Sequence, residues 1–225
     1  MELELETSPT VFQPTSTSQV LAKIVDIPPD ADVLDVGCGI GILAIYAALK
    51  GAKSVYAVDI MEEACDFARR NAERNNVSDR VHVYKGDLFQ PLPTMKFDVI
   101  IDDVSGIADE VARLSPWFPE PVPTGGFDGA EHVVKLLSRV SEYLKPKGML
   151  YLPVASLSNA NKILEAAKNV FGSKIEQVVK VDYPLCAELK EQIHKLAGLR
   201  DQGIIDFTSR RSRHFWSLQV YRAWL

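Results

Sequence analysis

Short apolar runs and amphipathic segments alternate through the first half of the chain. The apolar or alternating runs predict four strands, at 31–36, 54–58, 80–85 and 97–101. Between the first three of them, runs of helix-forming residues predict helices at 42–50 and 61–76. Strands that alternate with helices in this order are typical of an α/β protein with a mostly parallel, doubly wound sheet.

The second half continues this pattern and then changes it. Helices are predicted at 130–144 and 159–171, with a fifth strand at 149–155 between them. Two alternating runs, 174–181 and 215–221, predict antiparallel strands that close the sheet, with a helical insert at 186–197. The whole pattern predicts a seven-stranded, Rossmann-like sheet with a C-terminal antiparallel hairpin.

The segment before the first strand has a different character. Its acidic start, Met1–Glu6, predicts a short strand or a disordered lead-in. A loop rich in turn formers at 7–19 leads into a helix predicted at 18–26, with Ser18 as its cap. We therefore divide one predicted domain, 1–225, into an N-terminal lid and helix (1–29), a core (30–155) and closing strands (156–225).

Composition and charge narrow the classes of function. The 225 residues include 47% hydrophobic positions, enough for a sizeable core. A formal net charge of −5 argues against an extended nucleic-acid surface, but it leaves room for a local RNA contact. Three separated cysteines, no long apolar run and no signal-peptide pattern predict a cytoplasmic protein without a membrane span.

A glycine-rich segment joins the first predicted strand to the first helix of the core. It reads Asp35-Val36-Gly37-Cys38-Gly39-Ile40-Gly41. Glycines allow a sharp turn and the close approach of a ligand, as in nucleotide-binding turns. Their spacing differs from the G-x-G-x-x-G of dinucleotide-binding proteins, and the Lys-Ser/Thr ending of a P-loop is missing. The segment therefore argues against both NAD and a P-loop nucleotide.

Two further carboxylates follow the next two strands. Asp59 ends the second strand, 24 residues after Asp35, where it can accept hydrogen bonds from both hydroxyls of a ribose. Asp87 follows the third strand, where it can accept from the exocyclic amine of adenine. The carboxyl ends of parallel strands meet at one edge of a sheet, so the three acids predict a single ligand crevice.

These segments resemble the cofactor motifs of class I S-adenosylmethionine-dependent methyltransferases. The resemblance covers about residues 30–155 and rests on Asp35–Gly41, Val58-Asp59-Ile60 and Gly86-Asp87-Leu88. It implies that 30–155 binds S-adenosyl-L-methionine in a Rossmann-like class I methyltransferase fold. By this resemblance, Asp35 and the glycine loop (Gly37, Cys38, Gly39 and Gly41) hold the methionine portion. Asp59 with Ile60 then holds the ribose, and Asp87 with Gly86 and Leu88 holds the adenine.

Two more segments resemble the branch that includes the release-factor glutamine methyltransferases. Residues 123–129 are similar to its Gly-Gly-x-Asp-Gly segment, and 11–18 are similar to the loop that covers its cofactor, which places Thr17 at the cofactor. That branch carries Asn-Pro-Pro-Tyr after strand four, whereas this chain has Asp103-Val104-Ser105-Gly106. The changed motif argues against methylation of a planar amide or an adenine amine.

Asp103 is the candidate catalytic residue and is also a predicted cofactor contact. At the carboxyl edge of the sheet, beside the expected methyl group, it can orient or deprotonate the nucleophile, or it can simply cap the following turn. The neighbouring Asp102 is predicted to be structural. Adjacent acids can also hold a divalent cation, as in catechol-type methyltransferases, but consecutive strand residues point in opposite directions, so no metal is predicted.

Other residues carry weaker indications. Trp117 and Phe118 can wall an acceptor pocket or pack the loop onto the sheet. His132 and His214 are potential bases or ordinary surface residues. The basic run 210–214 can hold a phosphate or an acidic peptide, or it forms the solvated end of a hairpin.

Three functions remain open at this stage. The predicted function is an S-adenosylmethionine-dependent methyltransferase that acts on a nitrogen or carboxyl group of a protein or small molecule. An RNA or DNA base methyltransferase is the second, and it requires aromatic stacking after strand four and a continuous basic face. The third is a non-catalytic module that binds the cofactor.

Overall fold

The computed structural model describes residues 3–92 and 94–225 as a mixed sheet with helices on both faces. Eight strands occur in these residues: β1 (Asp32–Val36), β2 (Ser54–Asp59), β3 (Val81–Lys85), β4 (Phe97–Asp102), β5 (Leu144–Ala155), β6 (Ile175–Pro184), β7 (Thr208–Arg210) and β8 (Arg213–Trp224). The helices in the same residues are α1 (Ser16–Ile24), α2 (Ile42–Leu49), α3 (Glu62–Arg74), α4 (Asp109–Leu114), α5 (Glu131–Leu137), α6 (Val140–Tyr143), α7 (Ala160–Phe171), α8 (Ala187–Glu191) and α9 (Ile193–Asp201).

The strand order places the ligand crevice. The sheet runs β3-β2-β1-β4-β5-β8-β6, with β7 paired to β8. Strands β1 to β5 are parallel to one another, while β8 is antiparallel to β5, β6 and β7. The order reverses between β1 and β4, because β2 lies on one side of β1 and β4 on the other. In open α/β sheets this reversal opens the crevice in which ligands bind, at the carboxyl ends of the strands.

Two apolar layers fix the helices on the sheet. One layer joins α1, α2, α8 and α9 to one face through residues such as Leu21, Ile45 and Leu196. The other joins α5 and α7 to the opposite face through residues such as Leu136 and Ile163. Burial of these side chains supplies the main driving force for the fold and makes the strand ends a rigid base for the crevice.

The predicted Rossmann-like α/β fold is confirmed, with eight described strands instead of seven. The extra strand is β7, three residues that form a tight hairpin with the start of β8. Arg211, with a positive φ of 57°, lies in its turn. The basic run is therefore a hairpin end, and Arg210 in it pairs with Asp182 at 2.7 Å. Strand β5 also begins earlier than predicted, at Leu144, with an irregular register against β4 between Phe97 and Val99.

The helix predictions were wrong in three details. The helix predicted at 130–144 divides into α5 and α6, because Ser138 and Arg139 end one helix and begin the next. The insert predicted at 186–197 likewise divides at Gln192 into α8 and α9. Helix α4 was not predicted, because it has six residues and no side-chain cap at its start.

The N-terminal segment is neither of the predicted alternatives. Met1 and Glu2 lie outside the described residues, while 3–7 form irregular chain that is hydrogen-bonded to α3. Helix α1 starts two residues before the predicted point, and its cap is Thr15, whose side chain accepts hydrogen bonds from the amides of Thr17 and Ser18. No helix in 3–92 or 94–225 is long and apolar enough to span a membrane.

Candidate active site

A cavity of about 740 Å³ opens at the carboxyl ends of β1, β2 and β4. Its floor is formed by the glycine loop after β1, by the end of β2 and by the segments after β3 and β4. Residues 12–19, which lead into and begin α1, line another side. A volume of this size lies within the range for small-molecule and cofactor sites, roughly 300–1,000 Å³.

The glycine loop is fixed to the neighbouring strand. The amides of Gly37 and Cys38 both donate to the carbonyl of Val58, at 2.8 and 3.0 Å. Gly37 has φ +79°, and a Cβ there would lie 2.8 Å from the carbonyl oxygen of Asp103 and 2.8 Å from Cα of Val104. Only glycine allows the segment after β4 to pass this close. The glycine loop and the segment that carries Asp103 are therefore in direct backbone contact at Gly37.

Asp59 organises the next wall of the cavity. One carboxylate oxygen accepts from the amide of Gly39 at 2.9 Å, and the other accepts from the amide of Met61 at 2.9 Å. Burial raises the pKa of Asp59, and these backbone amides oppose that rise. Each carboxylate oxygen has a second acceptor site, so Asp59 can accept further hydrogen bonds from a pair of hydroxyl groups.

Ten of the twelve predicted contact residues line this cavity: Thr17, Gly37, Cys38, Gly39, Asp59, Ile60, Gly86, Asp87, Leu88 and Asp103. Asp35 and Gly41 do not line it. Gly41, with φ +88°, is where a Cβ would lie 3.0 Å from Cβ of Ala68, so it allows α2 and α3 to approach. Asp35 is fully buried below the glycine loop.

Asp35 is a buried acid with no partner. Neither of its carboxylate oxygens has a hydrogen-bond partner among the described residues. Burial, and then the charge of Asp103, raise the pKa of Asp35 well above 3.8. A buried unpaired carboxylate is costly, and a nearby positive charge is what offsets that cost. Asp35 therefore favours a cationic ligand above it.

Asp87 lies at the far end of the cavity and has a partner of its own. Its carboxylate accepts from the ammonium of Lys135 on α5, and its side chain is about one quarter exposed (28%). One carboxylate oxygen remains free of this ion pair. His132, one turn earlier on α5, also lines the cavity, whereas His214 lies outside it and shares a hydrogen bond of 2.8 Å with Ser209.

Asp103 and Asp102 separate as strand alternation predicts. Asp103 lines the cavity, and its carboxylate accepts from the hydroxyl of Ser18 on α1 at 2.8 Å. Burial raises the pKa of Asp103 to about 7, and the Ser18 bond opposes that rise. Asp102 is 1% exposed and lies outside the cavity; burial raises its pKa to about 8. A carboxyl group with a pKa near neutrality has the property that general bases require.

Asp102 and Asp103 are the adjacent acids that could together hold a divalent cation. Within 3–92 and 94–225, no group of three or more His, Cys, Asp or Glu side chains could hold a metal ion. Asp102 accepts from the amide of Val104 at 3.2 Å, as a residue that shapes the turn. Asp102 thus lies outside the cavity that Asp103 lines.

The cavity also contains an aromatic compartment, which we define as Phe12, Trp117, Phe118, Tyr183 and Trp216. Trp216 lies between two rings, with centroids 6.0 Å from Trp117 and 5.0 Å from Tyr183. Phe12 and Phe118 form a second pair at 4.9 Å. Trp117 and Phe118 therefore do wall the cavity, and they do so with partners from β6, β8 and the N-terminal segment.

The charge of the lining is negative. Asp59, Asp87 and Asp103 line the cavity, and no lysine or arginine among the described residues does. A phosphate group lacks a charged partner in this lining, while cationic and neutral groups are favoured. The aromatic residues after strand four that a nucleic-acid base methyltransferase requires do line the cavity, but no lysine or arginine of the described residues lies among them there.

Sequence reasoning missed Ser18, Tyr183 and Trp216. Ser18 was predicted to cap α1, and Thr15 does so instead, which leaves the Ser18 hydroxyl for Asp103. Tyr183 and Trp216 lie on β6 and β8. Hydrophobic alternation along a strand shows which side chains face inward, but it does not show whether they contact the core or line a cavity. Tyr183 and Trp216 are directly opposite each other on β6 and β8, and this pairing becomes visible only when the strand order is known.

This fold and this site define a methyltransferase of the Rossmann-like class. The solved structure of a ribosomal protein L11 methylase from Lactobacillus delbrueckii subsp. bulgaricus superposes with a TM-score of 0.59 at 21% identity. The match covers 97% of this chain and 83% of that one. It shows the fold alone.

Sequence comparison gives the family. The model of the ribosomal protein L11 methyltransferase (PrmA) family matches residues 15–128, just over half of the chain, and the chain belongs to this family. A release factor glutamine methyltransferase from Gloeobacter violaceus is 36% identical over 68% of this chain. The chain spans only 57% of that relative's length. A putative protein N5-glutamine methyltransferase from Methanocaldococcus jannaschii is 31% identical over 81% of this chain and 90% of its own.

The family confirms the predicted resemblance. It also favours a methyltransferase over a non-catalytic module and over a nucleic-acid base methyltransferase, since the matched family and both curated relatives are protein methyltransferases by their names.

Proposed function

We propose that this protein transfers the methyl group of S-adenosylmethionine to a nitrogen atom, and that the nitrogen belongs to a protein side chain or chain end. The observation that carries the proposal is that Asp103 lines one cavity together with the glycine loop and the aromatic compartment. A methyl donor on one side and an acceptor on the other would meet at this carboxylate.

The residues present fit the donor. Gly39, where a Cβ would meet only the carbonyl oxygen of Phe12 at 4.0 Å, leaves room beside the backbone, and Asp59 has free acceptor positions for ribose hydroxyls. Asp87 keeps one oxygen for the adenine amine. The unpartnered carboxylate of Asp35 and the acidic lining suit a ligand that carries an ammonium and a sulfonium. S-adenosylmethionine, when bound, supplies the activated methyl group on its sulfonium.

The remaining chemistry belongs to the chain itself. A nitrogen that arrives protonated must lose its proton before it attacks, and Asp103, with a pKa of about 7, can accept that proton. Ser18 holds the carboxylate in place through its hydroxyl. The aromatic compartment excludes water and positions the acceptor, which is the main contribution of a protein to a displacement on an already activated carbon.

Nitrogen is favoured over a carboxyl acceptor by charge. A carboxylate in the compartment would face Asp103 with no lysine or arginine from the described lining to balance it. Like charges at this range repel, more strongly where water is excluded. A protein acceptor is supported by the relatives, which include a release factor glutamine methyltransferase and a ribosomal protein L11 methyltransferase.

The test is methyl transfer from labelled S-adenosylmethionine to purified release factor, to ribosomal protein L11 and to a panel of amine and carboxylate small molecules. We expect label that survives alkaline treatment, because N-methyl groups are stable there and methyl esters hydrolyse. Asp103→Asn should lower kcat by about 10²–10⁴-fold, the typical contribution of a general base, with donor affinity little changed. Asp79→Asn makes the same chemical change at a side chain that is 76% exposed, and it should match the wild type.

Three results would overturn the proposal. The first is no binding of S-adenosylmethionine by calorimetry. The second is alkali-labile label, which would identify a carboxyl acceptor. The third is an Asp103→Asn variant that turns over like Asp79→Asn, which would remove Asp103 from the chemistry.

A further inference from the structure

The N-terminal chain is held against α3 by two asparagine side chains. We call residues 3–6 the strap. The amide of Glu6 donates to Oδ1 of Asn71 at 2.6 Å, and Nδ2 of Asn71 donates back to the carbonyl of Glu6 at 3.0 Å. One helical turn later, Asn75 makes the same pair of bonds to Glu4, at 3.1 and 2.8 Å. The two side chains pair with the strap backbone as a neighbouring strand would.

Asn71 differs from Asn75 in what else it holds. It is fully buried, and its Nδ2 also donates to the carbonyl of Ile40 at 3.0 Å. Ile40 lies inside the glycine loop, between Gly39 and Gly41. One amide group therefore bonds both the loop on the donor side of the cavity and the strap. Asn75 makes no hydrogen bond to the glycine loop.

Apolar packing reinforces the same connection. The side chain of Ile40 is buried with Val11, Ala64 and Phe67, and Leu5 of the strap packs against this cluster. Val11 is followed directly by residues 12–19, which line the cavity and include Ser18, the partner of Asp103. The strap is thus continuous with the wall of the active site and is fixed at Ile40 through both polar and apolar contacts.

We propose that Asn71 is a positioning residue of the donor site, which fixes the glycine loop and the strap in one arrangement so that residues 12–17 close over the cavity. This inference rests on the proposed function, because the ligand that residues 12–17 would cover is the methyl donor, S-adenosylmethionine. The strap, residues 3–6, lies outside the residues matched by the family model, which begin at residue 15.

The side chain must be an amide for this role. Asn71 uses two donor hydrogens and one acceptor oxygen, on three different bonds. Aspartate lacks the donors, and alanine or leucine would leave the buried carbonyl of Ile40 without a partner.

The experiment compares donor KM and kcat in matched pairs of variants. Asn71→Ala removes the shared amide, and Asn75→Ala makes the same change one turn away. Glu6→Pro removes the strap amide that bonds Asn71 but leaves Asn71 and its bond to Ile40 in place. Glu4→Pro is its matched control. Glu6→Gln keeps the amide and removes only the ion pairs of Glu6 with Arg70 and Arg74, at 3.2 and 2.9 Å.

We expect Asn71→Ala and Glu6→Pro to raise the donor KM about tenfold, as when the closed arrangement is populated about one tenth of the time. At saturating donor, kcat should stay within about twofold of the wild type, because Asp103 and the acceptor side are unchanged. The same two variants should show faster hydrogen–deuterium exchange in residues 3–14. The three control variants should match the wild type in both measurements.

A merely structural role for Asn71 would lower the active fraction, and so kcat, without a change in donor KM, and that result would overturn the proposal. Equal effects of Asn71→Ala and Asn75→Ala would also overturn it. If Asn71→Ala does not fold, Glu6→Pro decides alone, since the strap lies at the surface. A wild type that fails to bind S-adenosylmethionine would instead overturn the proposed function, so the two failures are distinguishable.

Discussion

Replacement of Gly37 by alanine tests the close approach on which the site is built. A Cβ at Gly37 would lie 2.8 Å from two backbone atoms of the segment after β4, and the residue has φ +79°. Gly203 provides the matched control, because it has φ +73° and nothing within 4 Å of the same Cβ position. The two substitutions therefore share the backbone strain and differ in the crowding.

The magnitudes follow from these two terms. Alanine in the left-handed region costs about 1–2 kcal/mol, and the smaller freedom of the unfolded chain returns about 0.4–1 kcal/mol, so Gly203→Ala should lower the free energy of unfolding by about 1 kcal/mol. Overlap with backbone at Gly37 adds about 1–3 kcal/mol, as in overpacked cores. In a chain of this size, each kcal/mol lowers Tm by about 2–4 °C.

The assay is chemical and thermal unfolding of the two variants beside the wild type, with donor affinity measured by calorimetry. We expect Gly37→Ala to be clearly the less stable variant and to bind S-adenosylmethionine more weakly, since the segment that bears Asp103 must move. If the two alanine variants unfold within about 0.5 kcal/mol of each other, within the usual scatter of surface substitutions, the crowding at Gly37 does not exist and the reasoning is refuted.

Three other predictions concern the acids. Asp59→Ala should weaken donor binding by about 1–3 kcal/mol in calorimetry; unchanged affinity removes Asp59 from the ribose role. Ser18→Ala removes a hydrogen bond that lowers the pKa of Asp103. The rising limb of the plot of kcat/KM against pH should therefore shift to higher pH, from about 7 by roughly one pH unit. A limb at the same pH as in the wild type contradicts this. The raised pKa of Asp102 means that the folded state loses stability as pH rises from 3.8 to about 8. Asp102→Asn should flatten that segment of the Tm–pH curve, and an equally steep curve would show that Asp102 is not the cause.

The parts of the site that depend on local chain chemistry could be predicted from the sequence. A glycine loop after β1 and acids at the ends of the following strands are set by spacing of a few residues, and parallel strands bring such ends to one edge. Ten of the predicted contact residues accordingly line one cavity. Their individual roles stay predictions until a ligand is measured.

The parts that depend on distant partners could not be predicted. Trp117 and Trp216 meet only because β8 inserts next to β5, and a residue's own neighbours in sequence do not reveal this order. The sequence predicts only that Asn71 lies in the helix at 61–76. Its side chain bonds the carbonyls of Glu6 and Ile40, which are 65 and 31 positions away. Helix α4 and the interruptions at Ser138 and Gln192 depend on how short segments pack, which outweighs weak helix propensity.

The buried acids connect the fold to the proposed reaction. Asp35 and Asp102 each leave at least one carboxylate oxygen without a partner among the described residues, and burial raises the pKa of both. Such groups reduce the stability of the free protein, because the unfolded chain can ionise them in water and the folded chain cannot. A cationic ligand in the cavity would reverse this balance for Asp35, since it would favour the charged carboxylate. Asp35 therefore opposes folding at neutral pH and favours the binding of a cation, and in the proposed reaction Asp103, with a pKa of about 7, accepts a proton from the nucleophile.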